Sequence, residues 1–327
     1  MKVCVYGAGP IGCFIAARLY KGGSDVSLIA RGTNLKAIRS DGVSIHTPDY
    51  DIHAPVRVTD DPSSIGPQDI VIVAVKAPAQ TNILSPLSGL LGPNSKVVFL
   101  QNGIPWWFFH GYSGALADRR MDALDPSDAM WQQIGPERAI GGVIFIGADS
   151  VSPGVVHVET AKPRLYLGTP SGELSPMLTE LCAAIRGDSL TTEAVSDIRK
   201  HILNKLQMNI CSGLLGCLSN SAPKYAYADP PIADAVRVLV REVGVVATAL
   251  GIDTGVDVEA MLARTRSQQH RSSIVQDLDN GRLMEFDAMF GAPRTLAQWT
   301  GTSTPMLDLL VALVKLRAQQ AGAYSTS

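Results

Sequence analysis

The stretch Met1-Lys2-Val3-Cys4-Val5-Tyr6-Gly7-Ala8-Gly9-Pro10-Ile11-Gly12, continuing as CFIAARLY to Tyr20, decides the fold. Met1 to Tyr6 is a short β-rich run, and the residues after Gly12 follow a helical pattern. Strand, GxGxxG turn and helix in that order make the dinucleotide-binding fingerprint. Its glycines permit a tight turn, close approach of backbone to a pyrophosphate, and close packing of helix on strand. The helix N-terminus then faces the phosphates with unpaired N–H groups. Gly7, Ala8, Gly9, Pro10, Ile11 and Gly12 are the expected cofactor-binding turn.

Alternation of strand and helix continues from there. Val26 to Ala30 reads as the second strand and ends in Arg31. An acidic residue at that point would hold a ribose 2′-hydroxyl, whereas Arg suits a 2′-phosphate through a charge-assisted contact, so NADP(H) is the expected cofactor. Asn34 to Ser40 predicts a short helix, and Val43 to His46 and Val56 to Thr59 small strands. Asp69 to Val75 (DIVIVAV) has the near-continuous apolar character of a strand buried on both faces, and it ends at Lys76. Pro78 and Pro86 leave only broken helix before Lys96 to Leu100, a further buried strand that ends in Gln101-Asn102-Gly103. Ligands of doubly wound sheets bind beyond the carboxyl ends of strands, where Gly9, Arg31, Lys76 and Asn102 all fall. Trp106 and Trp107 follow, either packing a satellite core or walling a pocket mouth. Ala139 to Ala148, Val155 to Val158 and Arg164 to Leu167 predict strands, then Leu174 to Ile185 a helix and a short strand before Glu193.

Near residue 195 the pattern changes. Ser196 to Asn220, SDIRKHILNKLQMNICSGLLGCLSN, carries Ile198, Ile202, Leu206, Ile210 and Leu214 at helical spacing. Lys205 sits inside that apolar run with Asn209 four residues on, on the same face. An ammonium there loses hydration unless it reaches a partner, a cleft or solvent. Helices are predicted over 232–250, 258–266, 274–278, 284–290 and 307–318, with Pro293 and Pro305 as breakers. The fold class is therefore α/β: an N-terminal Rossmann-type doubly wound sheet over residues 1–195, then an all-α C-terminal domain over 196–327. The cleft between them is the expected active site.

Composition narrows the partners. The 327 residues carry 28 basic and 30 acidic side chains, a net charge of −2, with no basic stripe for nucleic acid. No apolar run nears membrane-spanning length, and the first residues do not form a signal peptide. Cys4, Cys13, Cys182, Cys211 and Cys217 include no CxxC pair, which argues against a metal site or disulfide frame and for a reducing, cytoplasmic setting. The last helix, Leu307 to Ala318, is apolar enough to pack within the chain or across a homodimer.

With GAGPIG, VAVK, QNG, a helix bearing N-K-L-x-x-N, then SSIVQDL and EFDAMFG, the chain resembles the ketopantoate reductases (2-dehydropantoate 2-reductases) over nearly its whole length. Ser273 and Glu285 carry the family spacing, and Gly291 follows as expected. The resemblance implies NADPH-dependent reduction of a 2-oxo acid to a 2-hydroxy acid, 2-dehydropantoate to pantoate in pantothenate biosynthesis. It also implies that Lys205 is the general acid and that Asn209 and Ser273 contact substrate. Asn102 matches a residue touching both the nicotinamide side and the substrate, while Lys76 and Glu285 match supporting and cofactor-side residues.

Chemistry independently asks for such groups. Hydride delivery to a ketone carbon makes an alkoxide, which a nearby ammonium stabilises and protonates. Glu285 could hold that ammonium or a substrate hydroxyl without being the acid itself. The family usually has a second Asn four residues after the position of Asn209, and here that position is Gly213. The 106–135 segment also looks longer than the usual loop. Both departures weaken selection for a small hydroxyl-bearing substrate. The rival readings are a reductase of a bulkier 2-oxo acid or ketone, a phosphogluconate-type oxidiser lacking the expected basic cluster, and a non-catalytic nucleotide sensor.

Overall fold

The computed structural model describes residues 1–187, 189–265 and 267–325. Two compact units form, Met1–Gln101 with Pro105–Ile198, and Asn102–Ile104 with the chain from Arg199 onward.

In the first unit, β1 (Lys2–Tyr6) runs through the glycine turn into α1 (Pro10–Lys21), followed by β2 (Asp25–Ile29) and α2 (Gly32–Asp41). Next come β3 (Val43–His46), β4 (Asp51–Ala54), β5 (Arg57–Thr59), β6 (Gln68–Val73), α3 (Leu84–Ser88) and β7 (Leu91–Phe99). The unit ends with α4 (Ala129–Gln133), β8 (Ala139–Phe145), β9 (Ala148–Ser152), β10 (Val155–Val158), β11 (Arg164–Gly168), α5 (Pro176–Ile185) and β12 (Thr191–Ala194).

Eight strands form one sheet in the order β12-β11-β8-β7-β6-β1-β2-β5. Every neighbouring pair is parallel except β8 with β11. Val3 to Val5 and Ile70 to Val73 are almost fully buried, as central parallel strands covered on both faces require. The order steps outward from β1 in both directions, which puts the β1–α1 turn at the topological switch point.

Two expectations need correction here, one strand was not foreseen, and one alternative is resolved. The strand expected over 139–148 breaks in two, because Gly147 turns the chain away: its N–H donates to Thr160 Oγ1 and its carbonyl accepts from Glu159 N–H. β9 thereby joins a second, four-stranded sheet, β4-β3-β10-β9. β4 went unforeseen, since four residues with Asp51 and His53 facing outward make too short an alternation to stand out. β7 starts at Leu91, well before Lys96, through Gly92 and Pro93. The Arg138 guanidinium holds that irregular half by donating to the carbonyls of Gly92 (2.9 Å), Pro93 (3.2 Å) and Ser95 (3.1 Å). The two tryptophans settle as core. Trp106 stacks edge-on with Phe99 at 5.6 Å and Trp131 at 6.1 Å, and Trp107 packs over Gly141, where a Cβ would lie 2.6 Å from its ring.

The second unit is helical: α6 (Ile198–Ser219), α7 (Pro223–Ala226), α8 (Pro230–Ala249), α9 (Val258–Thr265), α10 (Ser273–Asp279), α11 (Ala292–Thr300) and α12 (Pro305–Gln320). The helix predicted over 258–266 is seen to Thr265, and residue 266 lies outside the described residues. Pro293 does not break the chain as expected. A wide π turn over Asp287–Gly291 runs straight into α11, so the backbone absorbs the ring and missing N–H of Pro293 by opening the turn before it. On α12 one face (Leu307, Leu310, Val311, Val314, Ala318) is buried, while Leu309, Leu313 and Leu316 are exposed. No helix among the described residues is long and apolar enough to cross a membrane.

Candidate active site

The glycine turn of the first unit divides its labour between its glycines. Gly7 has φ +114°, and a Cβ there would lie 2.8 Å from Val75 Cγ1. A Cβ on Gly12 would lie 1.8 Å from the carbonyl oxygen of Gly7, so α1 can rest on the turn only because residue 12 has no side chain. Gly9 is different, for nothing lies within 4 Å of the Cβ it lacks. Gly9 is the N-cap of α1, and no side chain caps that helix. Space at Gly9 together with uncapped N–H groups suits a pyrophosphate, and the turn fits the dinucleotide the sequence implies. Ala8 is anchored from α2, where the Asn34 amide donates to its carbonyl at 2.9 Å. Nothing in the sequence signalled Asn34.

Arg31 is exposed at the N-cap of α2, two residues past the end of β2 rather than on the strand itself. Its guanidinium partly offsets the upward push that burial gives the Tyr6 phenol at the end of β1. Lys76 is exposed at the N-cap of a short 3-10 turn, Ala77–Ala79, and its carbonyl accepts from Ala79 N–H at 2.9 Å. The following Gln80, buried, donates to Gln101 Oε1 at 2.8 Å and so joins the ends of β6 and β7.

The second unit gathers the remaining polar groups. Lys205 and Asn209 lie one turn apart on α6, where no glycine precedes Gly213. Asn102 Nδ2 donates to Glu285 Oε2 at 3.2 Å, across a sequence separation of 183 residues. Asn209 Nδ2 points to Asn102 Oδ1 at 3.5 Å, a long, weak contact. A carboxylate only accepts, so Glu285 fixes which end of the Asn102 amide faces it. Glu285 is 8% exposed. Burial pushes the half-buried Lys205 amine down from the ordinary 10.5 to about 8, and the Glu285 charge opposes that push.

Gly103 makes this convergence sterically feasible. Its φ is +81°, and its absent Cβ would fall 2.2 Å from the carbonyl oxygen of Ala288, on the π turn. Ile104 N–H donates to the same carbonyl at 2.9 Å. The QNG triplet thus docks backbone to backbone on the segment that carries Glu285.

Ser273 stands apart: it is exposed at the first position of α10, and no hydrogen bond ties it to the amide–carboxylate chain among the described residues. At Gly213 the structure supplies the reason for the missing Asn. A Cβ there would lie 2.8 Å from Phe290 Cζ and 3.1 Å from Ile274 Cγ2, both fully buried side chains. An apolar ring occupies the space a donor would need.

A mostly parallel sheet whose switch point carries a glycine turn that fits a dinucleotide, in a chain that also has a separate all-helical unit, defines the Rossmann class of nucleotide-dependent folds. Residues 3–172 match the family described as Ketopantoate reductase PanE/ApbA, and residues 197–318 match its C-terminal counterpart. A 2-dehydropantoate 2-reductase of Mesorhizobium japonicum is 36% identical over 99% of this chain and all of its own. A crystal structure from Ralstonia solanacearum MolK2, assigned as a ketopantoate reductase, superposes with a TM-score of 0.89 at 33% identity, covering 98% of this chain and 99% of that one. D-mandelate dehydrogenase with NADH and anilino(oxo)acetate shares the fold, with a TM-score of 0.81 at 20% identity over 99% of this chain and all of that one. The chain belongs to the ketopantoate reductase family and is an oxidoreductase acting on CH–OH groups.

Proposed function

We propose that the protein reduces 2-dehydropantoate to pantoate with NADPH, and that Lys205 supplies the proton. One observation carries this reading: a half-buried amine, pushed down to about 8, shares its helical unit with a buried carboxylate and two oriented amides. A group that titrates near working pH gives up a proton with little intrinsic barrier. Arg31, exposed at the N-cap of α2, supports the choice of NADPH, since its fork matches a 2′-phosphate.

The cofactor, when bound, supplies a hydride to the carbonyl carbon. Gly9 and the N–H groups of α1 would hold its pyrophosphate. Lys205 stabilises the oxygen that becomes an alkoxide and hands its proton to that oxygen. Glu285 keeps the amine protonated until then, and Asn102 and Asn209 orient the substrate by neutral donation. Five unpaired, buried cysteines support a reducing compartment, which we take to be the cytoplasm.

Phe290 and Ile274 against Gly213 favour a second reading, in which the substrate is a bulkier, less hydroxylated 2-oxo acid. Initial rates of NADPH and NADH oxidation with 2-dehydropantoate and a panel of branched and aromatic 2-oxo acids separate the two. The first reading expects 2-dehydropantoate to give the highest kcat/KM, with a preference for NADPH that Arg31→Ser abolishes. A higher kcat/KM for an aromatic or longer branched acid selects the second. Tight NADPH binding without turnover on any acid defeats both.

A further inference from the structure

Beyond α12 the chain folds back onto the helical unit. Ala321 is the C-cap of that helix, and Gly322 follows with φ +68°, a left-handed conformation that suits a residue without a Cβ. The turn lets Ala323 N–H donate to the carbonyl of Ala318 at 2.9 Å, and Ala323 is fully buried. Tyr324 is thereby returned to the segment from Met284 to Gly291, which carries Glu285.

Three contacts hold that segment on either side of Glu285. Met284 N–H donates to the carbonyl of Ala323 at 3.0 Å. The Tyr324 ring lies over Phe286, with centroids 4.4 Å apart and planes tilted by 34°. The Tyr324 hydroxyl donates to Asp287 Oδ1 at 2.9 Å. Gly291 leaves room for that carboxylate, since a Cβ there would lie 3.2 Å from Asp287 Oδ1. Burial pushes the Asp287 carboxyl up, and the Tyr324 hydroxyl and the Lys315 charge oppose that push. Burial, and then the bond to Asp287, raise the Tyr324 phenol to about 12, so it remains a donor through neutral and mildly alkaline pH. Glu285 thus sits between two neighbours that are both fixed from outside its own turn, and its carboxylate accepts from Asn102 Nδ2 at 3.2 Å.

We propose that Tyr324 is a positioning residue for reduction: by clamping Phe286 and Asp287 it holds the Glu285 carboxylate on Asn102 and near the Lys205 amine. This role rests on the reading of Lys205 as proton donor. Without the clamp the Glu285 charge drifts from the amine, and burial lowers the amine with less to oppose it. The glycine turn belongs to the other unit, so cofactor binding should not feel the change.

Single-turnover oxidation of enzyme-bound NADPH by 2-dehydropantoate, from pH 6 to 10 and on the full chain, tests the role. Tyr324→Phe keeps the ring on Phe286 and loses only the hydroxyl. It should slow the step about ten-fold at pH 7, move its half-point below about pH 8, and leave the NADPH dissociation constant within about two-fold. Asp287→Ala should do the same, and the double variant should lose no more than either alone. Asp287→Asn, whose amide oxygen still accepts from Tyr324, should keep the rate within about three-fold of native. An unchanged rate in Tyr324→Phe overturns the role, as does a loss shared with NADPH affinity. A flat native profile defeats the Lys205 reading, and this role falls with it. A native half-point near pH 8 that Tyr324→Phe leaves in place defeats the role of Tyr324 alone.

Discussion

The pH dependence of reduction follows from the surroundings of Lys205. Burial lowers the amine to about 8, and Glu285 is the charge that stops it falling further. With that value the amine is about nine-tenths protonated at pH 7, half at pH 8 and about one-tenth at pH 9. If protonated Lys205 is the acid, the single-turnover rate of NADPH oxidation should halve near pH 8 and fall about ten-fold per pH unit above it. Glu285→Gln removes the opposing charge but keeps an acceptor for Asn102, so geometry is retained while burial acts alone. An opposite charge nearby moves a pKa by about 1 to 3, and the smaller figure already brings the half-point to about pH 7. The variant should therefore run at about half its acid-limit rate at pH 7, while the native enzyme remains near its plateau. Stopped-flow absorbance of enzyme-bound NADPH mixed with excess substrate, from pH 6 to 10, reads this directly. A flat native profile, or a half-point in Glu285→Gln that moves upward, would refute the general-acid role. Stability carries the opposite sign. The folded amine titrates below its unfolded value of 10.5, so the unfolded chain binds more protons between about pH 8 and 10.5, and this group's contribution to stability rises with pH through that window.

Three further outcomes are expected. Gly9→Val should raise the NADPH dissociation constant at least ten-fold with an unchanged Tm, because its side chain fills open space, whereas Gly12→Val should fail to fold, its Cβ being 1.8 Å from a backbone oxygen; fluorescence titration and calorimetry separate them. Gly103→Ala should lower kcat by about a hundred-fold and leave NADPH affinity intact, since a Cβ 2.2 Å from Ala288 O displaces Asn102 and not the glycine turn. Glu242→Gln should cost about 1–3 kcal/mol of unfolding free energy with little change in KM, because the two Glu242 carboxylate oxygens accept from Met306 and Leu307 N–H at 3.0 and 2.8 Å and serve as the remote cap of α12; urea denaturation beside steady-state kinetics reads both.

How much of this was legible in the sequence depends on the range of the interaction. The turn at Gly7 to Gly12 could be read because its chemistry lies inside six consecutive residues and its flanking strand and helix adjoin it. The run at Ile198 to Leu214 could be read because helical periodicity is local, and those positions are buried as the spacing requires. β4 and the break at Gly147 were missed because short strands in a small second sheet carry almost no period, and a single Thr160 hydroxyl decides where the chain leaves the main sheet. Pro293 misled for a related reason: a breaker rule assumes an α turn, while the chain answered with a π turn.

The amide–carboxylate chain is the instructive failure. Asn102 and Glu285 were each picked out by chemistry and family spacing, yet nothing in the sequence joins residues 183 positions apart. What joins them is a residue with no side chain. Gly103 adopts a left-handed conformation that brings its backbone onto Ala288, and this draws Asn102–Ile104 out of the sheet unit and into the helical one. The Asn102 amide is thereby carried by the unit that also holds Lys205, and its bond to Glu285 lies within that unit. Polar residues in a motif announce chemistry, but their placement here is set by a glycine and by the carbonyl it leaves room for.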